Sequence, residues 1–402
     1  MASALDGIKV VELSTWFAGP TCGMWLGEHG AEVVRVEPME GDPLRGIMGS
    51  GALPAELANT YNWMWEMANR SKKCIALDLK QDESRQIMHK MVERADVFLA
   101  NLRPSTLKRA AMDYETLCQI NPRLIYCNIT GYGSKGPGAD WPAFDETAFW
   151  TRSGIMSTLG EPGTPAVPLR GAMGDHTTGI FALGGIALAL YAREKTGKGQ
   201  LVELSLYANG MWVAGVDIQG ALVYKLEMGR QSRYTQGNPL YNTYCAGDDK
   251  WFMFQMLQTD RFWDGVCRAI GREDLIDKYP THSSRCKDSP AIIKILDTEF
   301  AKQPRSYWAP RFDENGLIWA PAQTPVEVIN DPVALENGYI VEYEHFNYGK
   351  LKGIRCPIQL KGTPERTPFG APEFGQHTEE VLLELGYTWE QIGQLKEKKV
   401  II

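Results

Sequence analysis

Short apolar runs alternate with longer amphipathic stretches through the first half of this chain. Residues 8–13 (Ile-Lys-Val-Val-Glu-Leu) and 32–37 (Glu-Val-Val-Arg-Val-Glu) read as buried strands. Between them an apolar helix over 22–29 ends at Gly30-Ala31. Strand, helix and strand within about thirty residues make a βαβ unit, with parallel strands and a right-handed crossover. The pattern recurs, with strands expected at 74–79, 97–100 and 124–130 and helices at 82–94 and 104–111. The expectation is a doubly wound α/β domain, in which ligands bind beyond the carboxyl ends of the strands. The loops at those ends are 14–21, 38–45, 101–104 and 131–140.

The glycine-rich stretch 171–179 (Gly-Ala-Met-Gly-Asp-His-Thr-Thr-Gly) runs into an Ala- and Leu-rich segment, 180–190, that reads as a buried helix. A strand at 199–206 and a long helix at about 208–224 follow. From Gly229 the texture changes. Tyr234, Tyr241, Tyr244, Trp251, Phe252 and Phe254 flank the turn Ala246-Gly247-Asp248-Asp249-Lys250, an aromatic β-hairpin signal. Helices at 261–270 and 291–301 complete a small α+β region. Pro304, Pro310, Pro321 and Pro325 then lead to strands near Ile354 and Ile358, a helix at 378–385 and a charged tail, 396–399, that reads as solvated. The division expected is a large α/β domain over 1–225, a small domain over 226–320, and a linker and return over 321–402.

Composition narrows the function. Hydrophobic residues make up 44% and charged residues 23% of the 402 positions, which is ordinary for a globular chain. The net charge of -7 leaves no basic stripe for a nucleic-acid backbone. Eight cysteines show no Cys-x-x-Cys pair, so free thiols in a reducing compartment are expected. With no signal-peptide pattern and no bilayer-length apolar run, the expected place is the cytoplasm, in solution. No Gly-x-Gly-x-x-Gly follows the first strand and no P-loop occurs, which disfavours dinucleotide and nucleoside-triphosphate enzymes. The six histidines include no pair at helical ligand spacing, so no metal is expected. A Gly-x-Ser-x-Gly elbow is absent too.

Asp175 is the candidate that remains. Placed where a helix begins, it reads as an N-cap that accepts backbone N–H bonds and stays ionised in the positive end of the helix dipole. An ionised carboxylate is a nucleophile that needs no general base, and the surrounding glycine amides could receive an oxyanion. Its neighbour His176 should point elsewhere, since adjacent helical residues diverge. Arg35, Arg45, Lys72, Lys73, Arg103 and Arg109 are expected along the carboxyl edge of the sheet, where several cations would suit separate phosphate groups. Each alone reads equally well as a solvated surface charge.

Ordered motifs add a resemblance. Ala18-Gly19-Pro20, 30–37 (Gly-Ala-Glu-Val-Val-Arg-Val-Glu), Gly41-Asp42-Pro43-Leu44-Arg45, Asn69-Arg70-Ser71-Lys72-Lys73, Thr130-Gly131-Tyr132-Gly133, Gly174-Asp175, Thr196-Gly197-Lys198-Gly199-Gln200 and 375–382 succeed one another from end to end. The set resembles the class III CoA-transferase family, which includes formyl-CoA transferase, carnitine CoA-transferases and alpha-methylacyl-CoA racemase. The resemblance implies a Rossmann-like large domain built from both chain ends, a small middle domain, and a homodimer of interlocked rings. It implies acyl-CoA and a carboxylic acid as substrates, with coenzyme A as co-substrate and no other cofactor. It makes Asp175 the nucleophile. It places coenzyme A on Phe17, Ala18, Lys72 or Lys73, Asn101, Leu102 and Arg109.

Departures from the family refine this. Racemase relatives carry a histidine where Phe144 stands, and a phenylalanine cannot shuttle a proton. Their later glutamate falls at Gln258. Formyl-CoA transferase has glutamine at Phe17 and a polyglycine lid where this chain has Tyr234-Thr235-Gln236-Gly237-Asn238-Pro239. The pattern around Phe144 and His176 looks nearest the 2-hydroxyacyl branch, with phenyllactate and 2-hydroxyisocaproate CoA-transferases. Trp16, Phe144, His176 and Gly237 are then expected at the substrate pocket, with Phe17, Trp63, Trp141 and Trp150 as further aromatic candidates whose alternative is core packing.

Overall fold

The structure is a computed structural model that describes residues 2–50, 54–57, 60–227 and 229–402. Two units are distinguished. The first comprises residues up to Met156, Pro168–Leu226 and Glu336–Ile402; the second comprises Ser157–Val167 and Glu227–Leu335.

The first unit is organised by a six-stranded sheet. Its strands are β1 (Lys9–Leu13), β2 (Glu32–Glu37), β3 (Lys73–Ala76), β4 (Val97–Ala100), β5 (Ile125–Thr130) and β6 (Gln200–Ser205). Every pairing is parallel, in the order β3-β2-β1-β4-β5-β6. β4 and β5 are buried at every position, which is why their sequences read as unbroken apolar runs. The strand order reverses between β1 and β4. The crevice for a ligand therefore opens beyond Leu13 and Ala100, between the loops that follow those two strands.

One face of the sheet is covered by the helix Asp82–Glu93 together with Val381, Leu382, Ile392 and Leu395 from the chain's end. The other face carries the helices Ala18–Glu28 and Met173–Thr196. A Cβ on Gly179 would lie 3.0 Å from the Ala18 carbonyl oxygen, so this glycine lets the two helices meet closely. The large unit thus contains both ends of the chain, as expected.

Two expectations are corrected. The segment expected as one helix over 208–224 is two, Leu206–Val213 and Gly215–Tyr224, separated at Ala214. The charged residues 396–399 are exposed, as expected; they close and follow the helix Trp389–Glu397, and beyond them Val400 and Ile401 are buried, Ile401 bridging Leu77. The apolar pair at the end of the chain anchors the charged residues before it. The return to the large unit begins at Glu336, not 321. The reason is that Trp319–Pro321 forms a strand, β9, that pairs with the strand Trp251–Gln255 of the second unit.

The second unit has an antiparallel sheet of β7 (Tyr241–Cys245), β8 (Trp251–Gln255) and β9. The aromatic hairpin is present as expected, and Tyr244, Phe252, Phe254, Phe300 and Phe312 interlock beneath it. In the first unit the returning chain forms a hairpin of β10 (Ile340–His345) and β11 (Gly349–Ile354). Ile358 lies outside any strand. All eight cysteines are free, and no helix among the described residues is long and apolar enough to cross a membrane.

Candidate active site

Asp175 lies in the first turn of the helix Met173–Thr196, two residues inside its start. Its carboxylate makes no capping bond, which corrects the N-cap expectation. The capping acceptor comes from 29 residues earlier in the chain: the Gly174 N–H donates to Asp145 Oδ2 at 3.1 Å. Asp145 begins a short π-helical turn, Glu146–Thr151, a local widening that recurs at functional positions. A Cβ on residue 174 would lie 2.2 Å from both Asp145 Oδ1 and the Phe149 ring. The Gly-Asp pair is therefore a packing requirement, because only a glycine allows the second carboxylate and a ring against the helix start. Gly174→Ala is expected to lose about 3 kcal/mol or more of stability, read from denaturant midpoints. Activity should fall with it, since Asp175 would have to move.

The turn is held from its other side by Asn209. Its Nδ2 donates to Thr177 Oγ1 at 2.9 Å and Thr178 Oγ1 at 2.6 Å, while both hydroxyls donate to the Gly174 carbonyl oxygen. Ala172 precedes the helix in a left-handed conformation, φ 54°. Neither Asp145 nor Asn209 was marked by the sequence. Asp145 could be read only as a neighbour of Phe144, and Asn209 as an ordinary helix residue.

The electrostatics also differ from the expectation of an ionised carboxylate. Burial, followed by the charges of Asp145 and Glu146, pushes the Asp175 carboxyl up to about 8. Burial raises Asp145 to about 6. Loss of water and the neighbouring carboxyls both disfavour the charged form. Asp175 is thus a sparsely hydrated carboxyl that is charged only in part at neutral pH.

Asp175 faces a cavity of about 450 Å³ whose walls include Trp16, Ala18, Asn101, Leu102, Arg103, Thr106 and Phe144. The loops after β1 and β4 supply one part of that wall, as the reversal of strand order requires, and the end of β5 with residues 142–144 supplies another. Asn101 ties them together, accepting from the Thr15 N–H at 2.8 Å and donating to the Thr15 carbonyl at 2.7 Å. The expected residues Ala18, Asn101, Leu102, Trp16 and Phe144 are therefore brought to Asp175. Arg109 is exposed beside the wall, donating to Thr106 Oγ1 at 3.1 Å.

Other expected residues are not brought there. Lys72 is wholly buried, its ammonium 2.8 Å from Glu12 Oε2 and from the Pro20 carbonyl oxygen. Lys73 opens β3, at the amino edge of the sheet, and pairs with Glu32, Glu380 and Glu384. Arg35 and Arg45 are neutralised by Glu12, Glu37 and Asp42. Of the six cations expected along the carboxyl edge, Arg103 lines the cavity and Arg109 flanks it.

Phe17 caps the first helix without lining the cavity; it meets the His176 ring edge to face at 5.5 Å. His176 diverges from Asp175 as expected, and for that reason it is not brought to the cavity with Trp16 and Phe144, which corrects its expected place at the substrate pocket. Its Nδ1 lies 3.1 Å from Thr21 Oγ1, and its ring lines a second, apolar cavity of about 420 Å³ with Met24, Trp25, Met67 and Ile180. Trp141 packs on Tyr132 at 5.6 Å, Trp150 packs into the core, and Trp63 is exposed. Gly237 belongs to the second unit, where its N–H donates to Gln236 Oε1. Among the described residues no three His, Cys, Asp or Glu side chains stand close enough to share a metal ion.

Comparison with known proteins covers nearly the whole chain. The family model described as CoA-transferase family III matches residues 5–378. Cinnamoyl-CoA:phenyllactate CoA-transferase of Clostridium sporogenes is 35% identical, over 99% of this chain and 97% of the relative. (R)-2-hydroxy-4-methylpentanoate CoA-transferase of Clostridioides difficile is 34% identical, over 99% of both. Among solved structures, a CAIB/BAIF family protein from Brucella suis superimposes with a TM-score of 0.84 at 27% identity, covering 96% of this chain and 100% of that one.

Proposed function

The chain belongs to CoA-transferase family III, and from that premise we propose that it moves coenzyme A between an acyl-CoA and a free carboxylate. The acyl groups are those of 2-hydroxy acids with a bulky apolar or aromatic side chain. The observation that carries this reading is the half-buried Asp175 carboxyl at the end of a cavity walled by Trp16 and Phe144. The two clostridial relatives are named for acids of that kind.

The reaction runs through the Asp175 carboxylate. It attacks the donor thioester carbonyl, the C–S bond breaks, and coenzyme A leaves as the thiolate from an aspartyl-acyl anhydride. The thiolate attacks the aspartyl carbonyl, releasing the donor acid and leaving an aspartyl-CoA thioester. The acceptor carboxylate attacks that thioester, forming a second anhydride and freeing the thiolate again. Attack of the thiolate on the acyl carbonyl releases the new acyl-CoA and restores Asp175. Ala18, Asn101, Leu102, Arg103 and Arg109 hold the coenzyme throughout, which keeps the thiolate close enough for its return to outpace loss to solvent. A carboxylate with few waters to shed is a stronger nucleophile once it is ionised, which suits Asp175 to the first step.

The working form is a homodimer. Leu188 and Tyr191 of the long helix, Trp212 and Val213 of the next, and Val216, Leu222 and Tyr224 beyond it present exposed apolar side chains within one unit. A surface of this kind calls for a second copy to cover it. Light scattering is expected to give twice the 44.9 kDa chain mass. The activity itself is tested by supplying phenyllactyl-CoA and cinnamate and following both thioesters. Transfer supports the proposal. Exchange of the α-hydrogen for deuterium without any acceptor acid would instead identify a racemase.

A further inference from the structure

The loop after β1 has an uncommon backbone. Trp16 sits at φ 61°, in the left-handed region that residues with a Cβ rarely adopt. Such a conformation persists only where its surroundings over-determine it. Here the determinant is Asp42, a buried residue whose Oδ2 accepts the Trp16 N–H at 3.1 Å and whose Oδ1 accepts the Leu44 N–H at 2.7 Å.

Asp42 is itself fixed from below. The Arg35 guanidinium pairs with it and donates to the Ser14 carbonyl at 3.1 Å, to Glu12 Oε1 at 3.0 Å and to Asn69 Oδ1 at 2.6 Å. Lys72 bridges Glu12 and the Pro20 carbonyl. The Asp42 N–H donates to Glu37, which also takes the Arg45 guanidinium. Glu12, Glu37 and Asp42 thus balance Arg35, Arg45 and Lys72 in one buried cluster. That cluster grips Ser14, Trp16 and Pro20, the length of the loop and the start of the first helix. It also accounts for Asp42 and Arg45 of the motif Gly41–Arg45 and for Asn69 and Lys72 of the motif Asn69–Lys73, none of which lines the cavity.

The left-handed turn has a consequence at the site. It sets the Trp16 indole edge to face against the exposed Phe144, with centroids 5.6 Å apart and planes at 85°. Both rings wall the cavity that Asp175 faces. A carboxylate hydrogen-bonded to a backbone N–H therefore decides where an aromatic side chain stands.

We propose that Asp42 is a positioning residue that sets acyl-group specificity, holding Trp16 in its left-handed turn so that Trp16 and Phe144 form the wall for a bulky apolar side chain. The proposal rests on the CoA-transfer reading above. Its alternative is that the buried cluster only stabilises the fold, and double-variant measurements separate the two. The readout is kcat/KM for 3-phenyllactate relative to lactate as acceptor at saturating acyl-CoA. Wild type is expected to prefer phenyllactate. Asp42→Asn is expected to lower that preference about tenfold, chiefly through the KM for phenyllactate. Asp42→Glu keeps the charge beside Arg35, so it serves if the asparagine variant does not fold. Its longer arm displaces the carboxylate from the Trp16 N–H, and the same fall is expected. In a Trp16→Gly background, where no strain remains to be held, either substitution should change the preference by less than about twofold. Equal losses for both acids, or the same fall in the glycine background, would overturn the proposal while leaving CoA transfer intact. Wild-type transfer without preference for phenyllactate would also overturn it. Transfer to neither acid would overturn the proposal and the reading it rests on together.

Discussion

Asp175→Asn is expected to abolish CoA transfer, by about a thousandfold or more, and at the same time to make the protein more stable at neutral pH. Both effects have one origin. The carboxyl sits beside Asp145 and Glu146 with little water to solvate a charge, and its pKa is pushed up to about 8. The unfolded chain ionises this group near pH 3.9, so between about pH 4 and 8 the unfolded state releases a proton that the folded state keeps. Folding is therefore penalised progressively as pH rises through that window. At pH 7 the penalty is about 1–2 kcal/mol once residual solvent contact is allowed for. Asparagine fills the same space without a charge to bury, so the melting temperature should rise by a few degrees. A stable variant without transfer separates a chemical role from a structural one. Unchanged activity in Asp175→Asn would remove the nucleophile from the mechanism.

A second large effect concerns pH. Only the ionised carboxylate can attack a thioester, so kcat/KM should climb about tenfold per pH unit below 8 and level off above it. From pH 6 to pH 8 the rise is about fiftyfold. Asp145→Asn removes the larger of the two neighbouring charges that raise Asp175, so the midpoint should move to lower pH. The asparagine Oδ1 can still accept the Gly174 N–H, which keeps the helix start in place. At pH 6 the variant should therefore outperform wild type. A flat wild-type profile between pH 6 and 8 would mean that Asp175 is already ionised. An unmoved midpoint in Asp145→Asn would mean that the neighbouring carboxylate does not set it.

Much of the architecture was legible in the chain because buried parallel strands write themselves as apolar runs. β4 and β5, buried at every position, are the clearest cases. The loops beyond the carboxyl ends of the strands were legible, and of these Thr15, Trp16 and residues 101–103 do line the cavity. The position of Asp175 was legible too, since glycine and a carboxylate before an apolar run mark a helix start. Its environment was not. The sequence favours a cap that the dipole keeps charged, whereas the fold brings a second carboxyl from 29 residues away to take the capping role. No local pattern carries that partnership.

The lysines were misplaced for a related reason. Lys72 and Lys73 read as surface cations because lysine is seldom buried. Just before β3, however, Lys72 points under the first helix, where Glu12 and the Pro20 carbonyl receive it. Buried charge was signalled only by the even spread of Glu12, Arg35 and Glu37 through otherwise apolar strands. That same cluster shapes Trp16, so residues that touch no part of the cavity still decide its form.

The claim that the chemistry is carried by a covalent Asp175 intermediate is tested most directly by trapping it. The protein is mixed with acyl-CoA in the absence of an acceptor acid, quenched with hydroxylamine, digested and examined by peptide mass spectrometry. The account predicts a hydroxamate on Asp175, in the peptide that contains Gly174 and His176, and none in the Asp175→Asn variant. Active wild-type protein that transfers coenzyme A yet carries no modification at Asp175, or carries one on another residue, would contradict it.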